Sequence, residues 1–164
     1  MQVVNKKIDA VSIASSMMDN ILVTKQTGPK GKKVNRIFIE EGCDIDKEYY
    51  LSILIDRDTS KLMMMLSSSG GMDIETVAEE SPDKIHNIYF DDLENITLPK
   101  FLEKKLNITD KQFIELNAIC SKLVNAFKSI DASTIEINPL VLNKKGKFFL
   151  LDAKISLDDN ALFR

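Results

Sequence analysis

Hydrophobic and polar positions alternate most clearly in Thr134 to Lys154, TIEINPLVLNKKGKFFLLDAK. Ile135 and Ile137 fall on one face, Glu136 and Asn138 on the other, the two-residue period of a half-buried strand. The second arm, Phe148 to Lys154, is apolar until Asp152. Between the arms, Asn143-Lys144-Lys145-Gly146 is a polar turn whose glycine can take positive φ without steric cost. The pattern predicts a hairpin. Folded about Lys145, it sets Asn143 opposite Lys147, Asn138 opposite Asp152 and Glu136 opposite Lys154.

After a short β-like start at Met1 to Asn5, Ile8, Val11, Ser15 and Met18 recur at helical spacing and predict a helix over Lys6 to Asn20. Ile21 to Thr27 and Lys33 to Glu40 read as strands around the turn Gly28-Pro29-Lys30-Gly31. Glu40 to Glu48 interrupts the alternation as an acidic loop. Tyr49 to Ile55 and Lys61 to Leu66 predict a second hairpin around Asp56 to Ser60. Ser81-Pro82-Asp83 has the form of a helix start, serine as cap and proline in the first turn. Asp92 to Leu98 reads as an irregular connection and Pro99 to Leu106 as a short helix. Thr109 with Gln112 forms a capping box before a long helix, reaching about Ile130, with Phe113, Leu116, Cys120, Leu123 and Phe127 on its apolar stripe. The expected class is α+β, mainly antiparallel sheets with packed helices.

Composition adds exclusions. With 164 residues, 44% hydrophobic and 29% charged, the chain can bury one sizeable core, as a single unit or two small lobes. A net charge of −3 gives no reason to expect a nucleic-acid or anionic-membrane partner. No apolar run approaches the ~20 residues of a transmembrane helix, and the N-terminus lacks a signal-peptide pattern. Cys43 and Cys120, far apart, fit reduced thiols better than a disulfide framework.

Several residues carry candidate chemistry. The hairpin register puts an amide oxygen, Asn138, and a carboxylate, Asp152, within the reach of directly opposed side chains. Such a sparse pair suits magnesium, which takes one or two protein oxygens and fills its octahedron with water and phosphate. A plain polar cross-strand pair fits the same spacing, and a Glu136–Lys154 salt bridge of less than ~1 kcal/mol fits Glu136. His86, the only histidine, has no carboxylate partner in sequence and reads as structural. The Met63-Met64-Met65 run reads as adaptable core filler. Ser67-Ser68-Ser69-Gly70-Gly71 lacks the following lysine of a phosphate loop and reads as a structural turn.

Five stretches, RIFIEEGCDIDKEYYLSILIDR, the SSSGGMDIETVAEESPDKIH run, the helix before IEINPL, IEINPLV and LLDAKISLDDNALFR, resemble the succinyl-CoA synthetase beta-subunit family of ATP-grasp proteins, in the same order and over nearly the whole chain. LDAK stands where the family more usually has LDGK. The resemblance implies an ATP-grasp fragment, with residues 1–40 part of the nucleotide-binding lobe and 41–164 the second lobe bearing the metal-site hairpin. It implies nucleotide contacts at Glu40, Cys43 and Glu48, Cys43 acting through its backbone. It implies Mg2+ ligands at Asn138 and Asp152, and a catalytic Glu136 that meets a phosphohistidine loop of an alpha subunit. The implied cofactors are Mg2+ and ATP or ADP, with GTP or GDP open; the implied partner is that alpha subunit. The implied compartment is the bacterial cytoplasm or the mitochondrial matrix. By the same resemblance the phosphate-contacting lysine and glycine-rich stretch fall before residue 1 and the C-terminal ligase domain after Arg164. The 164 residues alone are therefore expected to be inert and open to self-association. A non-catalytic nucleotide- or protein-binding module, and a related malate or citrate acyl-CoA ligase, are the alternatives.

Overall fold

The structure is a computed structural model, and it describes residues 2–24, 27–91 and 93–163. Packing divides the chain into two units, Met1–Cys43 and Asp44–Arg164.

The first unit contains helix α1 (Lys7–Met17) and strands β1 (Ile21–Leu22) and β2 (Lys32–Lys33), which pair antiparallel with Ile21 opposite Lys33. The strands expected over Ile21 to Thr27 and Lys33 to Glu40 are thus far shorter than the apolar pattern suggests. The reason is lack of cover: no described residue of this unit is buried, and Phe38 and Ile39 are exposed. A strand face with nothing to bury against gains little beyond its ladder bonds. Met1 of the expected N-terminal start, Lys25 and Gln26 of the first expected strand, Asp92 of the expected connection and Arg164 lie outside the described residues.

The second unit is an antiparallel sheet with helices packed on it. Its strands are β3 (Ile45–Asp56), β4 (Lys61–Ser67), β5 (Ile85–Phe90), β6 (Ala132–Asn143), β7 (Phe148–Leu150) and β8 (Ala153–Leu157). They lie in the order β5-β4-β3-β6-β7, with β8 also paired to β6. Helices α2 (Ile74–Glu80), α3 (Phe101–Lys105) and α4 (Asp110–Ser129) complete it. The fold is α+β. The β3–β4 hairpin turns where expected, Asp56 facing Lys61.

Alternation along the strands separates two faces. Tyr49, Leu51 and Ile53 of β3, Met64 and Leu66 of β4, and Ile135 and Ile137 of β6 join one continuous core with Phe113, Leu116, Cys120, Val124 and Phe127 of α4. The capping box of α4 forms: Thr109 Oγ1 accepts from the Gln112 N–H at 3.4 Å, and Gln112 Oε1 accepts from the Thr109 N–H at 2.8 Å. Met64 belongs to this core, while the period of two sends Met63 and Met65 to the opposite face, so the three thioethers do not converge. The core raises two ordinary pKa values. Burial pushes the Cys120 thiol up to about 12. Burial, then the nearby Asp46 carboxylate, pushes the Tyr49 phenol to about 12, and its hydroxyl donates to the Leu106 carbonyl at 3.1 Å.

Two further expectations are corrected. The acidic loop expected over Glu40 to Glu48 ends early, because Ile45 to Glu48 already pair with Asn143 to Val141 of β6. Ser81-Pro82-Asp83 opens no long helix: Pro82–Lys84 is a single 3-10 turn, without a side-chain cap, that closes α2. The chain then enters β5, which buries Ile88 and Phe90 and supplies the ladder bonds that β4 would otherwise lack. His86 therefore sits on a strand, its ring edge-on to Phe101 at 6.1 Å.

Candidate functional site

The last hairpin forms in the register its sequence predicts. Glu136 pairs with Lys154, the Asn138 N–H donates to the Asp152 carbonyl at 3.1 Å, and the Asn143 N–H donates to the Lys147 carbonyl at 2.9 Å. Asn143 shapes the turn: its Oδ1 accepts from the N–H groups of Lys145 at 3.0 Å and Lys147 at 2.9 Å. Gly146 takes φ +73°. The ladder between β3 and β6 shifts register between Tyr49 and Leu51, opposite Asn138-Pro139.

The sheet face away from α4 carries the polar groups. Ser52 stands directly opposite Glu136, and Glu48 and Tyr50 precede it on the same face by the strand period. Ser52 is 2% exposed and Tyr50 5%. Burial raises the Tyr50 phenol above its ordinary pKa; contact with Ser52 partly offsets this, and the Glu136 and Glu75 carboxylates add to it. That Ser52 contact is a weak one, because the hydroxyl has no partner at hydrogen-bond geometry. Tyr50 is thus a protonated donor near two carboxylates. Although Glu136 and Lys154 are paired in the ladder, no ion pair joins them among the described residues.

Asn138 is held at both ends of its carboxamide. Oδ1 accepts from the Gly71 N–H at 2.8 Å, and Nδ2 donates to the Met72 carbonyl at 2.9 Å. The oxygen keeps a second lone pair. The Asp152 carboxylate is exposed and makes no hydrogen bond or ion pair among the described residues. Two hard oxygens on adjacent strand positions, one neutral and one charged, fit a divalent cation that takes most of its ligands from water and phosphate. No group of three or more His, Cys, Asp or Glu among the described residues offers a denser cage. Glu40, exposed, and Cys43, half-buried, belong to the first unit; Glu48, Glu136, Asn138 and Asp152 belong to the second.

A model of the ATP-grasp domain matches residues 1–142. The chain belongs to the ATP-grasp family. This ATP-grasp chain is similar to the succinate–CoA ligase [ADP-forming] beta subunit of Rickettsia conorii, 46% identical over 166 residues, covering 99% of this chain and 43% of that subunit. It is 48% identical over 162 residues to that of Rhodopseudomonas palustris, covering 97% and 41%. It is 48% identical over 160 residues to that of Chlorobaculum tepidum, covering 95% and 40%. The chain thus spans about two fifths of the length of the curated relatives it matches. Among solved structures, ATP citrate lyase from Methanothrix soehngenii in complex with citrate and coenzyme A matches with a TM-score of 0.62 at 17% identity, covering 95% of this chain and 34% of that one. This likeness carries the fold.

Two features of the candidate site escape sequence reasoning. The turn Gly70-Gly71-Met72 reads in sequence only as a glycine pair, with nothing to say that it grips a residue 67 positions away. Tyr50 and Ser52 read as ordinary strand residues, and only the β3–β6 register brings them beside Glu136.

Proposed function

We propose that this chain handles the magnesium–nucleotide complex within a succinate–CoA ligase beta subunit. The reaction is succinyl-CoA + phosphate + ADP (or GDP) = succinate + CoA + ATP (or GTP), with the phosphoryl group carried by a histidine of an alpha subunit. The observation that carries this reading is the hairpin register, which sets Glu136 opposite Lys154 and, two positions on along the same strand face, Asn138 opposite Asp152. The similarity to beta subunits over 95–99% of the chain supports the choice of acid.

In this reading Asn138 and Asp152 hold Mg2+, which when bound neutralises phosphate charge and orients the phosphoryl oxygens. Glu48 and Glu40 accept from ribose hydroxyls, and Cys43 contributes its peptide group to the base edge. Glu136, without an ion pair to Lys154, keeps its carboxylate open to accept an imidazole N–H when the phosphorylated histidine arrives. The work of these residues is positioning and electrostatic preorganisation. In this reading the alpha subunit and the remaining length of the relatives supply the rest of the chemistry. The compartment implied is a bacterial cytoplasm or a mitochondrial matrix.

Calorimetry of ADP and ATP binding to the 164-residue chain, with Mg2+ and with EDTA, tests the site. Asp152→Ala is expected to abolish the magnesium-dependent part of binding. Because the Asp152 carboxylate is exposed and makes no hydrogen bond or ion pair among the described residues, the circular dichroism spectrum is expected to stay unchanged. Equal affinity in variant and parent would remove the ion site.

A further inference from the structure

The turn between β4 and α2 is gripped to two strands at once. The Gly70 N–H donates to the Glu48 carbonyl at 3.1 Å. A Cβ at Gly70 would lie 2.5 Å from the Tyr49 backbone, so only glycine permits this approach. Gly71 takes φ +69°, and a Cβ there would stand 3.3 Å from both Glu48 carboxylate oxygens. Gly71 and Met72 then hold the Asn138 carboxamide from both sides, N–H to Oδ1 at 2.8 Å and carbonyl to Nδ2 at 2.9 Å. Those two bonds also fix which end of the amide is which. A flipped carboxamide would set its NH2 against the Gly71 N–H and its oxygen against the Met72 carbonyl, repulsive at both contacts.

We propose that Gly70-Gly71-Met72 is a positioning turn of the nucleotide site: it orients the Asn138 carboxamide oxygen while packing against Glu48, and so couples metal binding to nucleotide binding. This rests on the reading of Asn138 as a metal ligand and Glu48 as a nucleotide contact. Gly71 touches no ligand itself and acts through these two side chains. Its substitution displaces the turn twice over, by strain at positive φ and by contact with the Glu48 carboxylate. Asn138 then loses its clamp and rotates freely, as a metal ligand does when its supporting partner is removed.

The test is Gly71→Ala in the 164-residue chain, reading the ratio of ADP affinities with Mg2+ and with EDTA. The magnesium-dependent gain is expected to fall about tenfold or more, the scale of losing a supporting partner of a metal ligand. Gly71→Ala added to Asn138→Ala is expected to cost nothing further, because both act through one oxygen. Nuclear magnetic resonance supplies a readout apart from binding: the Asn138 side-chain amide protons, slow to exchange in the parent, exchange like an exposed asparagine in the variant. If Asn138→Ala loses the magnesium gain and Gly71→Ala keeps it, the turn proposal alone is overturned. If Asn138→Ala and Asp152→Ala both keep it, the nucleotide-site reading falls and takes the turn with it. Should Gly71→Ala fail to fold, the unsubstituted chain still decides: fast exchange of the Asn138 amide, with a resonance unmoved by magnesium and ADP, refutes the clamp.

Discussion

His86 illustrates how little a residue's type says about its role. It is the one side chain here whose ordinary titration falls near neutral pH, yet its strand places it against Phe101, and burial, with the Lys105 ammonium adding and Asp83 opposing, lowers its pKa. A group with a lowered pKa binds its proton more readily unfolded than folded. The stability it contributes is therefore present above the unfolded value of about 6.5 and is lost as pH falls through that value toward the folded one. The imidazole proton shifts are expected to titrate with a midpoint below 6.5; a midpoint at or above it would contradict the packing. The pairing of Asn138 with Asp152 is legible from sequence because a tight turn makes register an arithmetic of residue numbers. Gly71 is not, since its two partners lie on strands the local sequence does not name.

Elements with local causes form as their sequences predict. The α4 start is written in Thr109 and Gln112, and Thr109→Ala is expected to destabilise the chain by about 0.5–1 kcal/mol, the lower part of the range suiting a 3.4 Å cap bond. Thermal unfolding should register that as a fall of roughly 1–4 °C; no fall would show that the cap is replaced by water. The apolar stripe of α4 differs by one residue from its sequence pattern: Leu123 is only partly buried while Val124 is fully so. Either position suits a 3.6-residue period, and only the facing strands choose. Ser81-Pro82 misleads because a helix-start signature is equally good for one 3-10 turn. What sends Ile85 to Phe90 into a strand is the neighbouring edge of β4. Conversely, Ile21 to Thr27 and Lys33 to Glu40 have strand-like composition without a core to keep them paired.

At the scale of the whole molecule, the continuous core runs from Tyr49 to Phe148 and lies wholly inside the second unit. Residues 44–164 expressed alone are expected to keep the helix and sheet content of that unit and to unfold in one cooperative transition, measured by circular dichroism on heating. A non-cooperative melt would show that Met1–Cys43 contributes to that core. The first unit exposes Val3, Ile8, Phe38 and Ile39.

By itself, the sequence determined the features that neighbours along the chain dictate: the α4 cap, the two hairpin turns, the pairing of Glu136, Asn138 and Asp152 with their opposite rungs, and the α+β class. Periodicity and turn chemistry act over a few residues and need no knowledge of the rest. Only the tertiary structure decided which apolar runs become strands, which stripe position is buried, and that a glycine turn grips Asn138. Those outcomes depend on what covers a face or completes a hydrogen bond from far along the chain, and burial and ladder bonding are satisfied by the fold as a whole.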